Sequence, residues 1–174
     1  MGPEIQQKLR KIKTASIIFR AITKGLLALT AFLGLGCLVS VTLGIGGVDF
    51  DGALFQTFGL SLAYRLFLGI VTAVTWAIAV KGFYHLHRLF GNYSRGGVFT
   101  RDSVSQLRKF GIASVLWGVM SFLWLASLAI SMHPAKTFRG NADASSIVLG
   151  VAIIVIAWFM DMAVDLREEN ELTI

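Results

Sequence analysis

Four long apolar runs constrain this chain more than any other feature, at about residues 25–45, 59–80, 110–132 and 146–164. A hydrocarbon core about 30 Å thick needs about 20 apolar residues for each helical crossing, so each run has spanning length. Hydrophobic residues make up 55% of the 174 residues and charged residues only 15%, which is too apolar for an ordinary soluble domain. We therefore predict an all-α integral membrane bundle of four transmembrane helices, with residues 1–174 forming one domain.

The segment before the first run, residues 3–24, has the pattern of an amphipathic helix. Its lysine and arginine residues are interleaved with apolar residues that recur on one helical face, namely Ile5, Leu9, Ile12 and Phe19. This pattern predicts an N-terminal amphipathic helix lying on the membrane surface. The sequence leaves open whether this helix continues straight into the first crossing or bends before it.

The connection between the second and third runs, residues 81–109, is expected to be largely helical. The helix of the second run continues into this connection until Gly96 and Gly97 break it. A new helix then begins, with either Thr100 or Ser103 as its N-cap, and Ser103 has a glutamine three residues later, as in a capping box.

The distribution of Lys and Arg predicts the orientation. Thirteen of these residues lie before the first crossing, in the connection 81–109 and in the C-terminal tail, against two in the alternate connections. The positive-inside rule therefore places both termini and this connection in the cytoplasm. Because the basic residues cluster beside apolar segments, we assign them to the lipid bilayer surface and expect no direct binding of nucleic acid.

Arg65 lies well inside the second run, where a lone cation facing lipid would be costly. We expect it to point into the bundle, toward Asp49, Asp51 or a backbone carbonyl. It is either a structural ion pair or snorkelling arginine, or part of a substrate or anion site.

Asp161 and Asp165 are one helical turn apart in the fourth run, and Arg20 and Lys24 have the same spacing at a similar depth. One interpretation is a charge pairing that fixes the first helix against the fourth. The alternative is a proton- or cation-coupled pathway in a small oligomeric transporter or channel that uses Arg65 and these carboxylates.

Small residues recur at multiples of four on the first two runs, which predicts close helix packing or an oligomer interface. They are Gly36, Ser40 and Gly44, then Ser61, Gly69, Ala73 and Ala77. A third hypothesis, an accessory subunit of a larger membrane complex, predicts that an aromatic and small-residue face on the third run is left exposed, formed by Trp117, Gly118, Ser121 and Trp124.

Nothing in the sequence indicates an enzyme, a cofactor or a metal site. His85 and His87 are two residues apart, so on a helix their rings point to different faces. Cys37 has no intrachain partner. The chain lacks a phosphate-binding loop, a nucleophile elbow and an HExxH motif, so we assign no catalytic residues.

Two stretches, LFGNYSRGGVFTRDSVSQLRKFG and the terminal LREENELTI, together with the four-crossing layout, resemble the bacterial membrane proteins grouped as domain-of-unknown-function family 2975. The positions that carry the resemblance are Tyr93, Gly97, Phe99, Thr100, Leu107, Arg108, Gly111, Leu166, Glu168, Glu169, Glu171, Leu172 and Thr173. The resemblance implies a four-helix membrane fold. It also implies an association with a small helix-turn-helix regulator, for which the chain would be a membrane receptor or anchor.

Both stretches are expected on the cytoplasmic side, where they can form one surface. The basic connection and the acidic tail either close on each other or dock a soluble partner, through Tyr93, Gly97, Phe99, Arg101, Arg108, Glu168, Glu169 and Glu171. Our leading hypothesis is therefore a non-enzymatic interaction or regulatory subunit of the bacterial membrane.

Overall fold

The computed structural model describes residues 3–44, 47–50, 53–56, 61–97, 100–131 and 144–172. Most of these residues lie in four helices, α1 Pro3–Leu43, α2 Leu62–Ser94, α3 Arg101–Ser131 and α4 Ser145–Leu172. All four are long and apolar enough to cross a membrane. The predicted all-α architecture of four membrane helices is confirmed, and so is the helix break before Gly97.

A short hairpin between α1 and α2 is an addition to the predicted fold. Strands β1 (Gly47–Phe50) and β2 (Ala53–Gln56) pair antiparallel, with Phe50 opposite Ala53. The sequence predicted only a glycine-rich turn here. Each strand has only four residues, which is too short for an alternation of apolar and polar residues to predict a strand from the sequence.

Helix α1 is continuous over 41 residues, about 62 Å at 1.5 Å per residue. This settles the question that the sequence left open, since residues 3–24 run into the first crossing without a break. The position of this segment on the membrane surface stays a prediction. Ser16 and Thr23 in this segment are buried, because it packs along the extension of α2 beyond the second apolar run.

The buried face of α1 repeats every seven residues. Ser16, Thr23 and Thr30 are buried at this spacing, and so are Gly34 and Val41. A seven-residue repeat of small residues lets two helices pack closely along their length, as in a left-handed coiled coil. The buried Thr30 hydroxyl is satisfied within its own helix, because it donates to the Leu26 carbonyl at 2.7 Å.

The predicted small-residue faces are only partly correct. Gly44 and Gly69 are buried in the contact between α1 and α2, where a Cβ atom at Gly69 would lie 2.9 Å from Thr42 Cγ2. Gly36, in contrast, has open space around the position of a Cβ atom, and Ala73 and Ala77 are exposed. The buried residues follow the seven-residue repeat rather than multiples of four, because in a helix of 3.6 residues per turn a spacing of seven stays closer to one face than repeated steps of four.

The four helices pack side by side in chain order, α1 against α2, α2 against α3 and α3 against α4. Among the described residues, no Cα atom of α1 lies within 8 Å of a Cα atom of α4. The layer is therefore open, with α1 and α4 at its two edges. Because successive helices are antiparallel, the start of α1, the end of α2, the start of α3 and the end of α4 lie together, and we call this the basic end.

Helices α3 and α4 approach each other through glycines. A Cβ atom at Gly150 would lie 2.7 Å from the Gly111 carbonyl oxygen, so these two backbones are in direct contact. Nearer the basic end, Val104, Ala157 and Val164 form a buried cluster. Gly111 thus belongs to the packing of the helices.

The aromatic face of α3 is engaged within the chain, so the prediction that it is left exposed is wrong. Trp124 Nε1 donates to Thr72 Oγ1 of α2 at 3.3 Å, and Trp117 meets Trp76 edge to face with ring centroids 5.9 Å apart. Gly118 is buried against Ile147 of α4. These contacts arise because α3 has a neighbour on each side.

Candidate functional site at the basic end

The connection between α2 and α3 is shaped by the N-cap of α3. Thr100 Oγ1 accepts from the Ser103 backbone N–H at 3.3 Å, and the Ser103 hydroxyl donates to the Gly97 carbonyl at 2.6 Å. Of the two candidate caps, Thr100 is therefore the correct one. Ser103 is fully buried and instead holds the connection against the first turn of α3.

A chain of polar side chains joins α2 to α3 beside this cap. His85 Nδ1 lies 2.8 Å from Gln106 Oε1, and Gln106 Nε2 donates to Asp102 Oδ1 at 3.2 Å. Asp102 Oδ2 accepts from Asn92 Nδ2 at 2.7 Å. Asp102 precedes the apolar run of α3, and its hydrogen bonds from Asn92 and Gln106 lower the pKa of its carboxyl. Gln106 therefore belongs to this hydrogen-bond network and does not form the predicted capping box with Ser103.

Asn92 and Asp102 also border an open cleft of about 320 Å³. Its lining combines a guanidinium, a carboxylate, an amide and a hydroxyl, from Asn92, Arg95, Gly97, Thr100 and Asp102. Groups of this kind can donate and accept hydrogen bonds with a polar partner. The cleft is open, so it suits part of a macromolecular surface better than an enclosed small molecule.

Arg101 fastens the end of α4 to the start of α3. Its Nε and Nη2 donate to the two carboxylate oxygens of Glu168 at 3.1 and 2.7 Å, and Nη2 also donates to Asp165 at 3.0 Å. Glu168 follows the apolar run of α4, and the Arg101 hydrogen bond lowers the pKa of its carboxyl. The Arg101 side chain is 64% exposed, so these pairs position the tail more than they stabilise the fold.

The structure places the other predicted site residues at varying distances from this contact. Tyr93 meets Phe90 edge to face with centroids 6.3 Å apart, and Gly97 lines the cleft. Arg108 is exposed two turns further along α3, and Glu169 is exposed on α4. Phe99 and the side chain of Glu171 lie outside the described residues.

The predicted charge pairing between α1 and α4 is wrong within the chain. Asp165 pairs with Arg101 of α3, and Asp161 also contributes to the field at Arg101. The Arg20 guanidinium instead lies 3.8 Å from the position of a Cβ atom at Gly91 of α2. The physical reason is the open layer, since α2 and α3 lie between the two helices that were expected to pair.

Arg65 lies at the other end of the layer, against the end of α1. Its Nη1 is 2.7 Å from the position of a Cβ atom at Gly44, which has a φ of +67°. The last carbonyls of a helix carry partial negative charge, so a guanidinium is favourable at this position. The two aspartates predicted to pair with Arg65 lie outside the described residues, Asp51 as a whole and Asp49 with its side chain.

The two histidines of α2 contact different helices. His85 faces Gln106 of α3, whereas His87 Nδ1 lies 3.5 Å from Thr23 Oγ1 of α1. Within the described residues, no group of three or more His, Cys, Asp or Glu side chains is arranged to hold a metal ion.

Sequence reasoning missed the polar chain of Asn92, Asp102 and His85. A signal was present, because Asp102 and Gln106 are four residues apart and therefore share a helix face. What the sequence did not give was the register of α2 against α3, which brings His85 and Asn92 to that face.

Comparisons with known proteins identify the family of the chain. No curated protein and no solved structure matches the chain. A family model described as "Protein of unknown function (DUF2975)" matches residues 22–174, which include α1 from residue 22 onward, all of α2, α3 and α4, and both stretches that carry the resemblance. The chain therefore belongs to the family DUF2975.

Proposed function

We propose that this protein is a non-enzymatic interaction or regulatory subunit of the bacterial cytoplasmic membrane, and that its basic end faces the cytoplasm and docks a soluble partner. The four helices anchor the chain in lipid. The excess of Lys and Arg at the basic end supports the orientation. A small helix-turn-helix regulator is the first candidate partner, because the resemblance to the family implies it.

The observation that carries the proposal is the contact of Arg101 with Asp165 and Glu168. It joins the connection between α2 and α3 to the tail after α4, which are the two stretches that carry the resemblance. An exposed ion pair adds little stability. A tail that is held by Arg101, the residue between the cleft-lining Thr100 and Asp102, is better explained as a surface that a partner recognises.

The arrangement gives less support to a transporter. Arg65 lies near the start of α2, and Asp161 lies in the second half of α4 toward the basic end. Among the described residues, α2 and α4 have no Cα atoms within 8 Å of each other, because α3 separates them. A shared pathway would have to pass this helix.

The proposal is tested by crosslinking and affinity capture from native membranes, comparing wild type with Arg101→Ala. Lys109→Ala is the matched control, since Lys109 is an exposed cation of the same helix about two turns away and is not among the predicted docking residues. We expect a soluble protein to be captured by wild type and by Lys109→Ala, and to be lost with Arg101→Ala. Exchanging the charges in Arg101→Glu with Glu168→Arg should restore part of the capture.

Two results would overturn the proposal. One is that wild type captures no soluble protein, and the other is that Arg101→Ala and Lys109→Ala retain the same partner equally. Protease digestion of a C-terminal tag in sealed vesicles tests the orientation separately. If the C-terminus is cytoplasmic, the tag should be cleaved only in inverted vesicles, because their cytoplasmic side faces the added protease.

A further inference from the structure

Four cations of α1 and α2 share one face of the helix layer at the basic end. Arg88 and Arg95 are seven residues apart on α2, so they lie on the same side of that helix. Gly91 lies between them, and the Arg20 guanidinium of α1 is 3.8 Å from the position of a Cβ atom at this glycine. Lys13, seven residues before Arg20, is exposed. We call Lys13, Arg20, Arg88 and Arg95 the cationic face.

The cleft between α2 and α3 adjoins the cationic face. Arg95 lines the cleft together with Asp102 of α3. The pKa of the Asp102 carboxyl is lowered by hydrogen bonds from Asn92 and Gln106, and it is lowered further by the charge of Arg88. Both arginines of α2 are therefore on the side of the layer where Asp102 lies. The cationic face thus extends from α1 across α2 to the cleft.

The opposite side of the contact between α1 and α2 is aromatic. Phe90 is two residues from Arg88, and two residues turn a helix by about 200°. Phe90 stacks on Phe19 of α1 with ring centroids 5.2 Å apart, and it meets Tyr93 edge to face. The arginines of α2 are therefore concentrated on one side of this helix and are not spread around it.

The charges of the cationic face are not neutralised within the described residues. None of its four members forms an ion pair there, whereas Arg101 is paired with two carboxylates of α4. Arg88 and Arg95 are also exposed. A cluster of exposed like charges attracts a partner of the opposite charge. The cationic face therefore suits an anionic surface.

The distance of this face from the apolar runs makes lipid headgroups an unsuitable partner. The second apolar run ends at residue 80, so Lys81 marks the membrane boundary. Arg88 and Arg95 are 7 and 14 residues further along α2, which is about 10 and 21 Å along the helix. The headgroup layer adds only about 5–8 Å to each side of the hydrocarbon core. The anionic surface should therefore belong to a soluble molecule.

Carboxylates beside the cationic face favour a protein over a nucleic acid. Asp102 lines the cleft with Arg95, and Asp165 and Glu168 lie at Arg101, the next residue of α3. Duplex DNA carries one negative charge per about 1.7 Å and would be repelled by these groups. A protein surface can instead place carboxylates against the arginines and a hydrogen-bond donor against Asp102.

We propose that the cationic face docks an acidic surface of a soluble protein, with carboxylates of the partner against Arg88 and Arg95. The inference rests on the proposed function for the existence of a soluble partner, and it adds the chemistry of the partner's surface. Arg101 has a different role, because its charge is already paired and it holds the tail. Arg20 continues the docking surface onto α1.

Binding of an acidic peptide to the full chain tests this chemistry. The probe is a labelled peptide of alternating glutamate and alanine, and the protein is held in nanodiscs of phosphatidylcholine. The test variant carries Arg88→Gln and Arg95→Gln. The control variant carries Lys81→Gln and Lys109→Gln, two exposed cations next to the apolar runs of the same helices.

We expect the test variant to bind the peptide about tenfold more weakly than wild type, because two charge pairs are lost. The control variant should bind almost as wild type does. Binding to wild type should weaken as salt is raised, since the pairs are exposed. Unchanged tryptophan fluorescence should show that both variants are folded. Equal binding by the two variants would overturn the inference.

Three further results would overturn it. The first is tighter binding of duplex DNA of the same net charge as the peptide, which would indicate a nucleic acid surface. The second is loss of peptide binding when phosphatidylglycerol is added to the nanodiscs, which would indicate lipid. The third is retention of the captured soluble protein by the test variant in native membranes. That third result leaves the proposed function standing, whereas a wild type that captures no soluble protein overturns the proposed function.

Discussion

Replacing Gly150 by alanine tests the close approach of α3 and α4. A Cβ atom at this position would lie 2.7 Å from the Gly111 carbonyl oxygen and 2.8 Å from the Val115 backbone nitrogen. Both are backbone atoms, so no side-chain rotation can relieve the overlap. Ordinary contact begins at 3.4 Å, and the helices must therefore separate locally by about 0.7 Å, a gap that forfeits roughly a quarter to a half of the dispersion energy there.

The expected cost follows from two opposing effects. Overpacking of a close contact costs about 1–3 kcal/mol. Alanine is favoured over glycine within a helix by about 1 kcal/mol. We therefore expect Gly150→Ala to lower the free energy of unfolding by up to about 2 kcal/mol, and by about 1–3 kcal/mol relative to a glycine-to-alanine change at an open helical position.

The assay is unfolding in mixed micelles followed by tryptophan fluorescence, since Trp117 lies at a helix contact on α3. Gly36→Ala is the control, because nothing lies within 4 Å of the position of its Cβ atom. It should leave stability unchanged or raise it slightly. If Gly150→Ala is as stable as Gly36→Ala, the two backbones are not in direct contact and the reasoning fails.

Three further outcomes are expected. Thr100→Ala should destabilise the protein by about 1 kcal/mol through loss of the α3 N-cap, measured by the same unfolding assay, with Thr100→Ser retaining most stability. Gly44→Ala should cost about 1–2 kcal/mol because its φ of +67° disfavours side chains; an unchanged unfolding curve would contradict that conformation. Because its folded pKa is lowered, Glu168 should hold the tail fully above the ordinary glutamate pKa and release it as pH falls through the lowered value. Proteolysis of the tail at stepped pH should show that release in wild type, whereas Glu168→Gln should show no such step.

Parts of the candidate site were accessible from the sequence because they depend on local chemistry. The break at Gly96 and Gly97 and the alternative caps Thr100 and Ser103 follow from backbone preferences of residues near one another. The acidic tail and the basic connection were identified by composition. Choosing Thr100 over Ser103 required the structure, because Ser103 donates to Gly97 only when the connection folds back.

Other parts depended on which helices are neighbours. The sequence matched Arg20 and Lys24 with Asp161 and Asp165 by depth, but the open layer keeps α1 and α4 apart. Arg101 is the residue that binds Asp165, because α3 lies beside α4. The depth of a residue in the membrane follows from its distance along the helix. Which helices pack side by side does not follow from that distance.

The sequence by itself determined the four membrane helices, their approximate bounds and the charge asymmetry, because spanning length and hydropathy are properties of contiguous residues. The tertiary structure decided that α1 is one helix, that the layer is open and that Arg101 holds the tail. In lipid, apolar character alone does not select a partner for a helix. That selection rests on small residues such as Gly111 and Gly150, whose fit depends on the register between two helices.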